Sequence, residues 1–203
     1  MKAYVWKTPN GYKIPIMLEE VGLTYELVPI NINAKEQFTP EFLALNPNHK
    51  IPVLVDGDIT IFESGAILLY LVEKTGAFQP KDLKHKYEIV EWLMFQLANV
   101  GPMFGQANHF LNKAPEKIEY AMKRYADETN RLMEILETRL SSAPYLAGEY
   151  GIADIATWPW VRSGVRNEYV ALEAFPQTKQ WYEEIEKREA VKRALQKVDE
   201  ACK

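Results

Sequence analysis

The spacing of apolar residues changes character near residue 76, and this change constrains the fold more than any other feature of the chain. Before it, short strand-like runs alternate with segments of helical spacing, whereas no strand pattern remains after it. The length of 203 residues fits one large domain or two modest ones. We therefore expect an α+β two-domain protein with a first domain over 1–76, a linker over 77–85 and an all-helical domain over 86–203.

The first domain has the predicted element order β-α-β-α-β-β-α. The turn Thr8-Pro9-Asn10-Gly11 closes the first strand, and Asp56-Gly57-Asp58 between two apolar runs indicates a hairpin. A helix is expected to start at Glu63-Ser64 and to end at Thr75-Gly76. A βαβ unit joined to a further helix and a hairpin is the layout of a thioredoxin-like domain.

The second domain is predicted to contain helices only. Gly101-Pro102 should bend or break its first helix, and Pro176 should open the last charged helical segment. The run from Ile152 to Val165 is apolar on nearly all sides, which is typical of a helix in a core.

Composition excludes several classes of protein. Hydrophobic residues make up 47% and charged residues 26% of the chain, which argues for a packed core and against disorder. The net charge of −4 carries no basic block, so we expect no nucleic-acid surface. No apolar stretch is long enough for a membrane span, and the N-terminal segment is expected to be a strand and not a signal peptide, which favours the cytoplasm. His49, His85 and His109 are scattered, so we expect no metal.

The turn between the first strand and the first helix is the first candidate for chemistry. Ligands collect beyond the carboxyl ends of parallel strands, where helix N-termini supply free N–H groups. Thr8 places a hydroxyl there, and Asn10 adds an amide with both donor and acceptor. The alternative interpretation is that either residue simply caps the helix, and for this turn alone it is the better one.

The second candidate is the segment Asn48-His49-Lys50-Ile51-Pro52-Val53. A proline at the start of a buried strand removes a ladder donor, and in a thioredoxin-like fold it usually follows a cis peptide. The backbone of Ile51 would then pair with a peptide-like ligand, and Lys50 could meet a carboxylate. An ordinary loop-to-strand proline beside a solvated lysine is the competing interpretation.

The third candidate is the pair Glu63 and Ser64 at the start of a helix. The Ser64 hydroxyl and adjacent N–H groups favour an anion, while Glu63 can accept from an ammonium group. Such a pair suits an α-amino-acid head group, although it also fits a serine cap beside a surface glutamate. Together, the three segments fit a tripeptide with a γ-linked head group and a central thiol.

Along its whole length the chain resembles the glutathione transferase superfamily. The resemblance rests on residues 46–54, on 62–67, on the linker and on Ala153-Asp154-Ile155-Ala156. It is most similar to the bacterial nu class and the related yeast nitrogen-catabolite regulator, as residues 8–13, 36–38, 63–71, 73–76, 101–106 and 158–160 indicate.

The resemblance implies a role for seven residues in holding glutathione. Thr8 and Asn10 match the turn that holds the sulfur, Gln37 a glutamine on the site wall, and Ile51 the residue before the cis-proline. Glu63 and Ser64 match the pair that holds the γ-glutamyl end. Arg124 matches an arginine from the partner subunit, since members of this class are homodimers.

By resemblance the protein is expected to reduce small disulfides with bound glutathione and without a catalytic cysteine. Conjugation of electrophiles and reduction of hydroperoxides are alternatives, as is a regulatory protein that binds glutathione without turnover. The sole cysteine, Cys202, stands near a C-terminus that is expected to fray, and is assigned no role. Tyr4 and Tyr12 rank below Thr8 as partners of the sulfur.

One departure from the superfamily pattern concerns folding. Members usually place Ser or Thr three residues before the aspartate that corresponds to Asp154, which forms a capping box. Gly151 takes that place here, so the reciprocal pair is expected to be lost, although glycine still caps tolerably. The aromatic residues Trp6, Phe104 and Trp160 could line a site for apolar electrophiles, but core packing is the stronger interpretation.

Overall fold

The computed structural model describes all residues from 1 to 203 and contains nine α-helices and one four-stranded sheet. The strands are β1 (Lys2–Val5), β2 (Glu26–Pro29), β3 (Val53–Asp56) and β4 (Ile59–Phe62). The helices are α1 (Pro9–Glu20), α2 (Pro40–Leu45), α3 (Ser64–Thr75), α4 (Leu83–Phe95), α5 (Gly101–Asn108), α6 (Glu119–Leu140), α7 (Ile152–Arg166), α8 (Pro176–Glu186) and α9 (Glu189–Ala201). None of the helices is long and apolar enough to cross a membrane.

The sheet has the order β2-β1-β3-β4, with β1 parallel to β2 and antiparallel to β3. This arrangement confirms the predicted thioredoxin-like domain. Short apolar strands build its core against α1 and α3, which bury Ile14, Leu18, Ile67 and Leu71 completely. Gly57 has a φ of +60° in the hairpin turn between β3 and β4, a conformation that glycine adopts without steric cost.

The chain divides into two compact units, of which the first contains residues 1–79 together with 186–203. The second unit contains residues 80–185. The boundary near residue 80 falls inside the expected linker, but α9 groups with the first unit and not with the helical domain. The reason is that α9 packs against α1 along a buried face that contains Val191, Ala194 and Val198.

Ion pairs reinforce the packing of α9 on α1. Glu20 accepts two hydrogen bonds from Arg188 at 2.7 and 2.8 Å, and Glu19 pairs with Arg193 and Lys197. The Tyr12 hydroxyl donates to Asp199 at 2.7 Å. The end of α9 is therefore fastened, and the expectation that it frays is wrong.

The second unit is helical throughout, as predicted. In α7, Trp158 is fully buried and its indole N–H donates to the carbonyl of Tyr182 at 3.0 Å. Phe104 is also fully buried, which agrees with its interpretation as a core residue. Before Gly101-Pro102 the helix forms a π-helical turn at Gln96–Val100, so regular α-helix is interrupted where the proline lacks a donor.

Asp154 lies in the first turn of α7 and is completely buried. Its carboxylate accepts from the N–H groups of Leu146 at 3.0 Å and Gly151 at 3.1 Å, and from the Trp181 indole at 2.8 Å. The expected loss of the capping box is thus only half correct. Glycine has no side chain to accept from Asp154, but the Asp154 carboxylate still caps the Gly151 N–H.

Candidate glutathione site

The sheet register brings the three candidate segments of the first unit to one edge. Tyr4 in β1 pairs with Val53 in β3, and Val53 pairs with Phe62 in β4. The end of β1, the start of β3 and the end of β4 therefore lie side by side. The residues just beyond them are the Thr8 turn, Ile51-Pro52 and Glu63-Ser64, so their convergence follows from the pairing of the strands.

Thr8 caps α1, because its hydroxyl oxygen accepts a hydrogen bond from the Gly11 N–H at 3.0 Å. A hydroxyl has one proton to donate in addition to its acceptor capacity. The capping bond uses only an acceptor position, so the Thr8 proton stays available to a ligand. The capping role and the binding role of Thr8 are therefore compatible, and Asn10 lies beside it in the first turn of α1.

Gly11 is required by the same turn. A Cβ atom at this position would lie 2.0 Å from the carbonyl oxygen of Trp6, a distance that real Cβ atoms do not show. That carbonyl accepts from the Thr8 N–H at 2.7 Å, so a larger residue would displace the backbone that carries Thr8. The sequence marked Gly11 only as part of a turn.

The peptide bond between Ile51 and Pro52 is cis, as the sequence predicts. The strand ladder begins at Val53, which leaves Ile51 outside it. The loop before it is held by the buried side chain of Asn46, whose amide donates to the carbonyl of Lys50 at 2.6 Å. The Lys50 side chain is exposed.

Glu63 and Ser64 differ sharply in environment. Glu63 is exposed and has a φ of +70°, in the left-handed region that costs a residue with a side chain about 1–3 kcal/mol. Strained backbone of this kind often accompanies function. Ser64 is buried at the start of α3, and its oxygen accepts from the Lys13 ammonium at 3.3 Å.

Lys13 is the residue of this edge to which the sequence assigned no role. It is fully buried, and this burial lowers its pKa from 10.5 to about 7, while the negative charge of Glu63 acts in the opposite direction. The long side chain of a lysine on a helix usually carries its ammonium group into solvent, and no local sequence pattern distinguishes a lysine that is buried. The sequence pointed to Lys13 only as part of residues 8–13, on which the resemblance to the nu class partly rests.

Gln37 lies in a 3-10 turn at Glu36–Phe38, beside the loop that precedes β3. The Phe38 ring contacts the His49 ring with centroids 5.1 Å apart. The Gln37 side-chain oxygen and the His49 Nδ1 are both buried without a hydrogen-bond partner in the protein. Such atoms are costly unless a partner is supplied, so both are candidates for a contact with a ligand.

Arg124 is the one predicted site residue that lies outside the first unit. It is exposed on α6, where it lines a cavity of about 570 Å³ together with Tyr120 and Arg131. Its contact with glutathione therefore rests on the resemblance. The Tyr12 hydroxyl donates to Asp199, and Tyr12 is 7% exposed. No group of three or more His, Cys, Asp or Glu side chains is arranged to hold a metal ion.

Cys202 is buried at 3% exposure, in reach of the Lys7 backbone. Burial raises the pKa of its thiol above the ordinary value. A thiol is reactive as a thiolate and where reagents can reach it. Its environment therefore favours a packing role.

The fold and the candidate site beyond the carboxyl end of β1 agree with the family models that the chain matches. The model of the glutathione S-transferase N-terminal domain matches residues 1–73, and that of the C-terminal domain matches residues 94–189. The chain belongs to the glutathione transferase superfamily and is a glutathione-transferase-like enzyme.

Individual relatives sharpen this assignment. The chain is 45% identical over 202 residues to the disulfide-bond oxidoreductase YfcG of Escherichia coli, covering 96% of this chain and 94% of that protein. It is 41% identical over 211 residues to the disulfide-bond oxidoreductase YghU of the same organism, covering 95% and 73%. A glutathione transferase from Burkholderia graminis, solved with two glutathione molecules per subunit, superposes with a TM-score of 0.91 at 42% identity, covering 96% of this chain and 86% of that one.

Proposed function

We propose that the protein is a glutathione-dependent disulfide-bond reductase that uses the thiol of bound glutathione and no cysteine of its own. The observation that supports this proposal is the composition of the Thr8 turn. It presents the Thr8 hydroxyl and the N-terminus of α1, and it contains no cysteine. The sole cysteine is buried at the end of α9. Two relatives that are named disulfide-bond oxidoreductases support the same reaction.

The proposed pose follows the three segments along the edge. Glu63 and Ser64 hold the γ-glutamyl head group, the backbone of Ile51 pairs with the peptide, and Lys50 meets the glycyl carboxylate. Thr8 and Asn10 contact the sulfur. Gln37 lies on the wall of the site, and Arg124 of the second subunit of a homodimer completes it.

Thr8 and Asn10 act by hydrogen bonding to the sulfur. A thiol with a pKa near 8.5 is only a few per cent ionised at neutral pH, and the thiolate is the species that attacks a disulfide. Donors aimed at the sulfur stabilise the thiolate and raise its fraction. Threonine cannot serve as a strong base, so the proton leaves to solvent.

The reaction balances with two glutathione molecules. The thiolate of the first attacks a sulfur of the substrate disulfide, breaks the S–S bond and releases one substrate thiol as a mixed disulfide forms. The second glutathione thiolate attacks the glutathione sulfur of that mixed disulfide and releases the other substrate thiol. The products are two thiols and glutathione disulfide. The cytoplasm, with its reduced glutathione pool, is the proposed setting.

The test is turnover of 2-hydroxyethyl disulfide with glutathione, measured beside conjugation of chlorodinitrobenzene and reduction of a hydroperoxide. Robust disulfide turnover is expected, and Asn10→Ala should lose more of it than Cys202→Ser. Conjugation or peroxidase activity alone would move the assignment to those reactions. Binding of glutathione without turnover would favour a regulatory protein.

A further inference from the structure

Lys13 is the most unusual buried group in the first unit. Lysine is rarely buried completely unless it is paired, because the transfer of an ammonium group out of water is costly. Lys13 lies in α1, two residues after Gly11, with its ammonium 3.3 Å from the Ser64 oxygen. Packing alone would be served better by an apolar residue.

The contact with Ser64 has a definite direction. In its charged form Lys13 carries three donors and no acceptor, so the ammonium group donates and the Ser64 oxygen accepts. The single proton of the Ser64 hydroxyl therefore cannot be used on Lys13. It is left to donate elsewhere, beside the free N–H groups of the first turn of α3.

The charges around Ser64 match a zwitterion. The Lys13 ammonium contacts the Ser64 oxygen. The carboxylate of exposed Glu63 is the anion that favours the charged form of Lys13. A bound carboxylate at Ser64 would add a second anion near Lys13 and would further favour its charge. The ammonium group of the same ligand would face Glu63.

We propose that Lys13 is a positioning residue that commits the Ser64 hydroxyl to donate to the α-carboxylate of a γ-glutamyl head group. It makes the site selective for thiol peptides that carry a free α-carboxylate. This inference rests on the proposed glutathione site and deepens it. Because Lys13 acts through Ser64, which is proposed to hold the head group and not the sulfur, its effect should be on binding.

The experiment measures calorimetric dissociation constants for two peptides, glutathione and the analogue that lacks only the α-carboxylate, γ-aminobutyryl-cysteinyl-glycine. The variant Lys13→Met keeps the length of the side chain and removes its donors and charge. Ile14→Met is the matched control, because Ile14 is equally buried on α1 and lacks a polar group.

Lys13→Met should weaken glutathione binding on the order of 10- to 100-fold, as expected for the loss of a charge-assisted contact. Binding of the decarboxylated analogue should change by less than about twofold, so the preference for the carboxylate collapses. In steady state the KM for glutathione should rise while kcat is retained. Ile14→Met should keep the full preference.

Equal weakening of both peptides, or an undiminished preference in Lys13→Met, would overturn the role of Lys13 while leaving the glutathione site intact. A wild-type protein that binds neither peptide would instead overturn the proposed function. Ser64→Ala supplies an independent arm if Lys13→Met does not fold. It should reduce the preference by a similar factor, and an undiminished preference in Ser64→Ala would contradict the proposal.

Discussion

Two completely buried charged residues, Lys13 in the first unit and Asp154 in the second, occupy opposite kinds of environment. Asp154 accepts from two backbone N–H groups and one indole, all supplied by the core around it. Lys13 donates to the side chain that opens α3 at the candidate site. Burial raises the pKa of Asp154 from 3.8 to about 6, against the effect of those donors, and lowers the pKa of Lys13 to about 7.

The difference shows how the surroundings of a buried charge indicate its purpose. A carboxylate enclosed by core donors fixes the start of α7 and has nothing left to offer a ligand. Lys13 contacts a side chain at the candidate site, so we expect its burial to cost stability at neutral pH and a bound ligand to offset part of that cost. The first should therefore govern stability, and the second should govern binding.

The largest expected effect is the loss of stability on substitution of Asp154. Asp154→Ala leaves three N–H donors without an acceptor, two of them buried, and we expect the free energy of unfolding to fall by about 4 kcal/mol. Urea denaturation followed by circular dichroism measures it. Glu173→Ala, at an exposed position, is the control and should change stability by less than about 0.5 kcal/mol. A loss below about 1 kcal/mol for Asp154→Ala would contradict the structural role.

At the candidate site of the first unit, Gly11→Ala should lower activity more than stability. The new Cβ would clash with the Trp6 carbonyl and shift the backbone of the Thr8 turn. A displacement of this kind near the reacting sulfur is expected to lower kcat/KM for 2-hydroxyethyl disulfide on the order of 100-fold. Gly105→Ala, where a Cβ would meet only ordinary contacts near 3.6 Å, is the control and should remain active. Full activity of Gly11→Ala would show that the turn does not position the sulfur.

The pH dependence of stability separates the two charges. The pKa of Lys13 is lower in the folded protein than in the unfolded chain, so between pH 7 and pH 10.5 the unfolded chain binds more protons. The free energy of unfolding should therefore rise through this window, by up to about 1.4 kcal/mol per pH unit from Lys13.

The measurement is the difference in unfolding free energy between wild type and Lys13→Met from pH 6.5 to 9.5, without ligand. Lys13→Met should have the larger free energy of unfolding at low pH, and its excess over wild type should shrink as pH rises. For Asp154 the sign is opposite, because the folded protein binds more protons between pH 3.8 and 6 and stability falls as pH rises there. A difference that is flat with pH would contradict the depressed pKa of Lys13.

A smaller effect is expected at Tyr12. Tyr12→Phe removes the hydrogen bond to Asp199, which should cost about 1 kcal/mol of stability in thermal or urea unfolding. Disulfide turnover per folded molecule should stay within about twofold, since the hydroxyl is committed to α9. A tenfold loss of turnover would instead mean that this tyrosine acts on the sulfur.

Much of the fold and the three site segments could be predicted because their signals are local. The Thr8 turn, the Ile51-Pro52 bond and the hairpin at Gly57 each depend on residues adjacent in sequence, and strand pairing then brings the segments together. The place of α9 could not be predicted, because helical periodicity defines a buried face but not the element that covers it. Lys13 was missed for the same reason, since its burial depends on elements distant in sequence.

The central claim is that the reacting thiol belongs to glutathione and not to the protein. The direct measurement is glutathione-dependent reduction of 2-hydroxyethyl disulfide by Cys202→Ala, which leaves the chain without cysteine. Its folded fraction should be checked first, because Cys202 is buried. A kcat within about twofold of wild type is the predicted result, and a folded variant that loses its disulfide reduction would contradict the account.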